Sequence, residues 1–259
     1  MRIDVLTTFP EMFSSESPAA MGVSIPARAQ NMGILELSAT NIRDYTEDKH
    51  GKTDARPYGG GPGMVMMCQP VWDAVQAVEA QDERLATRIY LTPQGQPLTQ
   101  DLVESLAAKP RLLMIAGHYE GIDERVIDKL DPIEISLGDF ILSGGELAAM
   151  VLIDAITRTL PGVLGHDDSA LEDSFSAANT INPDGSLIDP KALSGLNIPA
   201  GSTLLDCPHY TRPRNWEGME VPEVLVGGDH NAVARWRLEQ RFERTKARRP
   251  DLIGQEDPD

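Results

Sequence analysis

The chain has 259 residues, 41% of them apolar, and a formal net charge of −17. That length suits one large domain, or one large domain with a small one; no apolar run reaches spanning length, and no signal-peptide pattern of basic start and apolar core is visible. Taken alone, the acidic balance argues against a nucleic-acid partner, and two cysteines far apart (Cys68 and Cys207) suggest no disulfide framework, no metal cluster and a reducing cytoplasm.

Residues 2–8 predict a first strand, ended by Phe9-Pro10. Residues 18–30 are weakly helical and stop near Gly33, and 34–40 read as a second strand. Residues 41–63 are polar and glycine-rich, a loop longer than ordinary connections. Its Gly59-Gly60-Gly61-Pro62-Gly63 needs unusual backbone angles, and Arg43, Lys49, Lys52 and Arg56 make it mildly cationic. Pro70 opens a helix to about Ala80. A third strand spans 88–91 and ends at Thr92-Pro93-Gln94-Gly95. Thr99 caps a short helix to Ala108. A fourth strand (111–116), a short helix (123–130) and a fifth strand (133–137) follow.

Ser143 and Glu146 stand at capping-box spacing, so a long helix should start at Gly144; Pro161 ends it. Strands alternating with helices predict an α/β fold with a mostly parallel sheet, and periodicity alone gives a doubly wound one. Ligands in such sheets bind outside the carboxyl ends of strands, where Thr92-Pro93, Gly117-His118 and Gly138-Asp139 all fall. The glycine loops near one helix start describe a small-molecule pocket, or simply turns. Neither G-x-G-x-x-G after a strand nor a P-loop is present.

Residues 176–203 are rich in Ser, Asn, Pro and Gly and read as a linker. Residues 204–259 form a small C-terminal domain. In it Asp229 or His230 caps a helix from 231 to about 248 that carries Trp236 and Phe242, and an acidic tail follows. Charge is unevenly spread. Residues 121–175 hold twelve Asp and Glu against three Lys and Arg; residues 231–250 hold seven Lys and Arg against two Glu. An acidic middle suits a cationic ligand and a basic helix suits phosphate, although each is also what a solvated face looks like.

GHYEGIDERV (117–126) followed by SLGDFILSGGE (136–146) resembles the cofactor site of the bacterial tRNA (guanine-N1)-methyltransferases, the TrmD family of the SPOUT class. FPEMF, RPYGGGPGM, YLTPQG, PGVLGH, EDSF and LLDCPHYTRP are also similar to the family, in its order. The resemblance covers nearly the whole chain apart from the 176–203 insert and the tail. It implies a C-terminal-side trefoil knot in a catalytic domain spanning 1–175, an interdomain linker with insert at 176–203, and a small helical tRNA-binding domain at 204–259. It implies methyl transfer from S-adenosylmethionine to N1 of the guanosine at tRNA position 37, with a guanosine at 36 as well, by a homodimer whose active sites each draw on two chains. The alternatives are a knotted methyltransferase with another RNA target and a non-catalytic RNA-binding protein.

The target nitrogen must lose a proton as the methyl arrives, so the reaction needs a base and a stabiliser for charge on O6. The resemblance makes Asp173 the base and Arg158 the residue assisting at the target guanine. On residues alone, Asp173 reads as a cap or turn residue and Arg158 as a cation at a helix C-terminus. Glu120 matches the glutamate beside the donor, which the family associates with magnesium dependence; no residue is assigned as a metal ligand. The donor pocket that the resemblance implies is lined by Tyr90, Leu91, Thr92, Pro93, Gly117, Tyr119, Glu120, Ile135, Ser136, Leu137, Gly138, Phe140, Leu142, Gly144 and Gly145. Side chains at Gly144 or Gly145 would fill it. His118 departs from the arginine commoner in the family, and a histidine cannot present a bidentate fork.

Overall fold

The computed structural model describes residues 1–15, 19–164, 173–175, 196 and 198–254. These fall into two compact units, Met1–Gly165 and His166–Asp259.

In the first unit the elements are β1 (Arg2–Thr7), α1 (Ser24–Asn31), β2 (Glu36–Asn41), β3 (Asp54–Ala55), β4 (Val65–Met66), α2 (Cys68–Glu79), β5 (Thr87–Pro97), α3 (Gln100–Ala107), β6 (Arg111–Ala116), α4 (Glu124–Leu130), β7 (Ile133–Ser136) and α5 (Glu146–Thr159). Five strands make one sheet in the order β2-β1-β6-β5-β7, with every pairing parallel. The predicted α/β class and parallel sheet are what the molecule has.

The sheet is buried on both faces, and alternation along its strands sorts the core in two. Ile3, Val5, Ile89, Leu91, Leu112 and Met114 pack with α1, α3 and the apolar stripe of α5 (Ala149, Leu152, Ile153, Ile156). Leu6, Tyr90, Leu113 and Ile115 pack on the other face with Val71, Val75 and Val78 of α2 and Val126, Ile127 and Leu130 of α4. Each fully buried Leu or Ile contributes roughly 1.5–3 kcal/mol, so both layers are needed.

At the amino ends of the central strands sits a buried charge network. The Arg111 side chain has no exposure. Its Nε donates to Asp4 Oδ2 at 2.9 Å, while its other nitrogens donate to the carbonyls of Val78 (2.6 Å), Glu79 (3.1 Å) and Asp82 (2.9 Å). Arg2 also bonds Asp4, at 2.8 Å. One guanidinium thus ties the end of α2 to β1 and β6. Breaking such a pair from one side typically costs ~3–5 kcal/mol, because a buried charge loses its partner. Arg111→Met should lower stability by about that amount in urea unfolding, and a loss under ~1 kcal/mol would show the network to be expendable.

Several predicted boundaries move. The third strand does not stop at Leu91. It runs to Pro97, pairing with β7 in two stretches, Ile89–Leu91 and Gln96–Pro97, with Leu91 and Gln96 both opposite Ile135. Thr92-Pro93-Gln94-Gly95 is an excursion inside the strand, and a Cβ on Gly95 would strike the backbone of Glu134 and Ile135. Turn residues signalled an end where the fold makes a bulge. Within the long polar loop, a 3-10 turn at Ile42–Tyr45 and β3 appear, and β4 pairs with β3 just beyond it. The second helix begins at Cys68, with Pro70 inside its first turn. The first helix begins at Ser24, after a short 3-10 turn at Ala20–Gly22.

The second unit has a small hairpin, β8 (Asn215–Trp216) with β9 (Met219–Glu220), and one long helix, α6 (His230–Arg248). Asp229 caps α6, its carboxylate accepting from the backbone N–H groups of Asn231 and Ala232. Leu204 and Leu238 form the core with Leu196, Ile198, Phe242 and Ile253 against them. Thr245 Oγ1 accepts from Leu205 N, which fixes the chain to the last turns of α6. Most of 176–203 and the tail from 255 lie outside the described residues.

Candidate functional site

A cavity of about 280 Å³ opens at the carboxyl ends of β5, β6 and β7. This is near the lower end of ligand pockets, which run from ~300 Å³ upward. All fifteen residues proposed for the donor pocket, from Tyr90 to Gly145, are in its wall. Gln94, His118, Gly121, Ile141 and Ala148 complete the lining. The sequence reading passed over these five. Gln94 and Gly121 lay within the quoted motifs, and His118 was set aside as a departure.

Three loops make the wall. The first is the β5 excursion, where Thr92 Oγ1 donates to Gln94 Oε1. The second follows β6. Its Tyr119 is left-handed (φ 64°), a conformation costly for a non-glycine residue and held here by bonds on either side. Glu120 N donates to Met64 O at 3.0 Å, and Met66 N donates to Gly121 O at 2.9 Å. The glycine-rich segment that ends at Gly63 is thereby laid against Glu120, and a Cβ on Gly63 would collide with that carboxylate. The third loop follows β7. Ser136 Oγ accepts from Gly138 N at 3.2 Å and turns the chain outward. Burial pushes the Tyr90 phenol up from its usual range, so it stays protonated in the wall.

The capping box is not formed. The long helix starts at Glu146 rather than Gly144, its N-cap is Gly145, and Ser143 makes no side-chain cap. Glu146 points inward instead: it is 3% exposed, and its Oε1 accepts from Thr7 Oγ1 at 2.8 Å. Spacing could not separate a reciprocal cap from a buried carboxylate. The two glycines are also required for a different reason than expected. A Cβ on Gly144 would meet His118 Nδ1 and Glu146 Oε2, and one on Gly145 would press on the backbone of Ala116 at 2.9 Å. They let loops pack on each other, and the cavity is a consequence.

Arg158 and Asp173 are not among the lining residues. Arg158 is half-buried in the last turn of α5. Asp173 belongs to the second unit, beside Ser174, whose Oγ accepts from Asp206 N at 2.9 Å. Phe175 has Arg249 over its ring at 5.9 Å. Glu172 lies outside the described residues.

Asp206, Cys207 and His209 bring ligand-type atoms within 4.8 Å of one another. Burial raises the Asp206 carboxyl, but hydrogen bonds from His209 and Cys207 N, with Arg241 at 3.6 Å, outweigh it and hold the group below its usual range. Its counter-charge is already supplied by protein groups. Burial pushes the Cys207 thiol up.

The family model for "tRNA (Guanine-1)-methyltransferase TrmD" matches residues 1–255. The chain belongs to the TrmD family. It is 52% identical over 252 residues to the tRNA (guanine-N(1)-)-methyltransferase of Halorhodospira halophila, covering 97% of this chain and 84% of that protein. Likeness to the proteins of the same name from Idiomarina loihiensis (47%, covering 98% of this chain and 89% of that one) and Ruminiclostridium cellulolyticum (45%, 98% and 96%) is similar. The TrmD match spans all three loops that line this cavity. Among the described residues no helix is long and apolar enough to cross a membrane.

Proposed function

We propose that this protein is a tRNA (guanine-N1)-methyltransferase that uses S-adenosylmethionine and acts on the guanosine at position 37, beside the anticodon. The observation that carries this is the family match over 1–255 combined with a cavity lined by every residue expected to hold the donor. Bound there, the donor supplies an electrophilic methyl on a sulfonium. The chain's own part is to hold it in a wall whose only carboxylate is Glu120 and which contains no Lys or Arg. Asp173 would take the proton from guanine N1 as the N–CH3 bond forms and the S–CH3 bond breaks, with S-adenosylhomocysteine as the leaving group. Arg158 stabilises charge on O6. Magnesium, if required, would be held through Glu120, with water completing its shell as that ion prefers.

The knot, the domain limits at 175 and 203, the homodimer and a cytoplasmic setting belong to the same proposal. Two features support the first and third. The β5 excursion packs at Gly95 directly against the backbone of β7. Phe140, Ile141, Leu147 and Val151 leave large apolar side chains half or more exposed around the start of α5, an area a second copy would cover. Methyl transfer onto unmodified tRNA transcripts, with the modified atom mapped, tests the function. Methyl on any atom other than guanine N1 would replace it with the reading of another RNA target, and binding without transfer with that of a non-catalytic protein.

The basic helix α6 is proposed to hold tRNA phosphates. Its seven cations are Arg235, Arg237, Arg241, Arg244, Lys246, Arg248 and the adjoining Arg249. The structure divides them. Arg241 is mostly buried beside Asp206, Arg244 donates to the Asp206 carbonyl, and Arg235 and Arg249 pair with Glu239 and Asp251. Arg237, Lys246 and Arg248 are exposed. Replacing Arg237 and Lys246 by Ala should flatten the salt dependence of tRNA binding by ~0.7–0.9 log unit per phosphate contact, with donor affinity unchanged. An unaltered slope would leave α6 a solvated face.

A further inference from the structure

One cluster that reaches the cavity wall through His118 takes no part in the chemistry above. Glu146 Oε2 lies 3.5 Å from His118 Nδ1. That nitrogen is buried and makes no aligned hydrogen bond. The imidazole packs against Phe9 and Tyr119, with ring centroids 5.1 Å away in each case. Gly144 lies beside both groups and leaves the room they share. Glu146 has Thr7 as a neutral donor, and Thr7 Oγ1 in turn accepts from Phe9 N at 2.9 Å. A buried carboxylate oxygen and a buried ring nitrogen that face each other at this distance satisfy one another better than either is satisfied alone. His118 is itself part of the cavity wall. Its other nitrogen, Nε2, stands at the opposite edge of the ring.

We propose that Thr7, Glu146 and His118 form a positioning chain in which Glu146 holds the Nδ1 edge of His118 and turns Nε2 to the amino-acid end of the methyl donor. This rests on the cavity being the donor site. His118 is the contact; Glu146 and Thr7 act through it. Where a fork cannot be offered, a buried carboxylate fixes the single ring contact in direction.

Two probes separate this role from a merely structural one. S-adenosylhomocysteine carries the amino-acid end; 5′-methylthioadenosine keeps the adenosine and sulfur and lacks it. Calorimetry of the full chain should show Thr7→Val, Glu146→Gln and His118→Ala each weakening S-adenosylhomocysteine by about tenfold, the scale of one charge-assisted hydrogen bond. Methylthioadenosine should bind all three as it binds the wild type. Thr7→Ser, which keeps both bonds of Thr7, should restore affinity, although Thr7 does not line the cavity. Thr7→Val added to His118→Ala should cost nothing further, because the two act in series. In turnover the donor KM should rise and kcat stay. Equal weakening of both probes would reduce the cluster to packing, and unchanged S-adenosylhomocysteine binding would remove the contact. A wild-type protein that binds neither probe would sink the donor reading of the cavity and this chain with it.

Discussion

Asp173→Asn should slow methyl transfer by about 10²–10⁴-fold while tRNA and donor bind within a few fold of wild type. A base that acts only as the N1 proton leaves affects the transition state and leaves ground-state binding intact. Asn keeps the size and the hydrogen bonding and loses only the ability to take the proton. Single-turnover rates measure this directly. With Asp173 present the rate should rise with pH and level off. In the variant the small residual rate should keep climbing, because hydroxide must then remove the proton. Asp173 stands next to Ser174, which is anchored to Asp206, so its neighbour is held by the C-terminal unit. As the proposed base it would take up its position toward guanine once RNA is bound, since catalytic geometry commonly tightens at that stage. Near-wild-type single-turnover rates would refute the assignment and turn attention to Glu172.

The second large effect concerns the donor. Gly144→Val should abolish S-adenosylmethionine binding while the sheet and its two cores survive. Its Cβ falls on His118 Nδ1 and Glu146 Oε2, and the carboxylate has no solvent to retreat into. Displacing either reshapes the wall between the β6 and β7 loops, which is joined there by the bridge of His118 with Gly144. Methionine-donor calorimetry with circular dichroism as the fold control checks this, and normal binding would place the pocket elsewhere. The two variants also test the shared site. Co-refolded Asp173→Asn and Gly144→Val chains should regain activity that neither has alone if each active site draws on two chains, since a mixed dimer then has one intact site. Continued inactivity of demonstrated mixed dimers would confine the site to a single chain.

Much of this protein was legible in its residues. The apolar run bounded by turn residues located β6, because a strand buried on both faces needs nothing subtler than continuous apolar character; β1, β2 and β7, with polar residues among the apolar ones, were located from shorter apolar stretches between turn residues. Thr99, Asp123 and Asp229 marked helix starts, and all three side chains cap as their chemistry dictates. The motifs carried the family, and with it the cavity wall.

What the residues could not decide was set by pairs distant in sequence. Thr7 and Glu146 are 139 residues apart, so nothing local distinguished a buried acceptor from half of a capping box. Arg111 read as the first residue of a strand, and only its burial against Asp4 and four carbonyls made it a structural ion. The excursion at Thr92–Gly95 carries the turn residues of a strand end, yet pairing with β7 resumes beyond it, because the ladder's hydrogen bonds outweigh the local preference to turn. Sequence order fixed which loops follow which strands; folding the sheet in the order β2-β1-β6-β5-β7 brought three of those loops to one rim and made them a site.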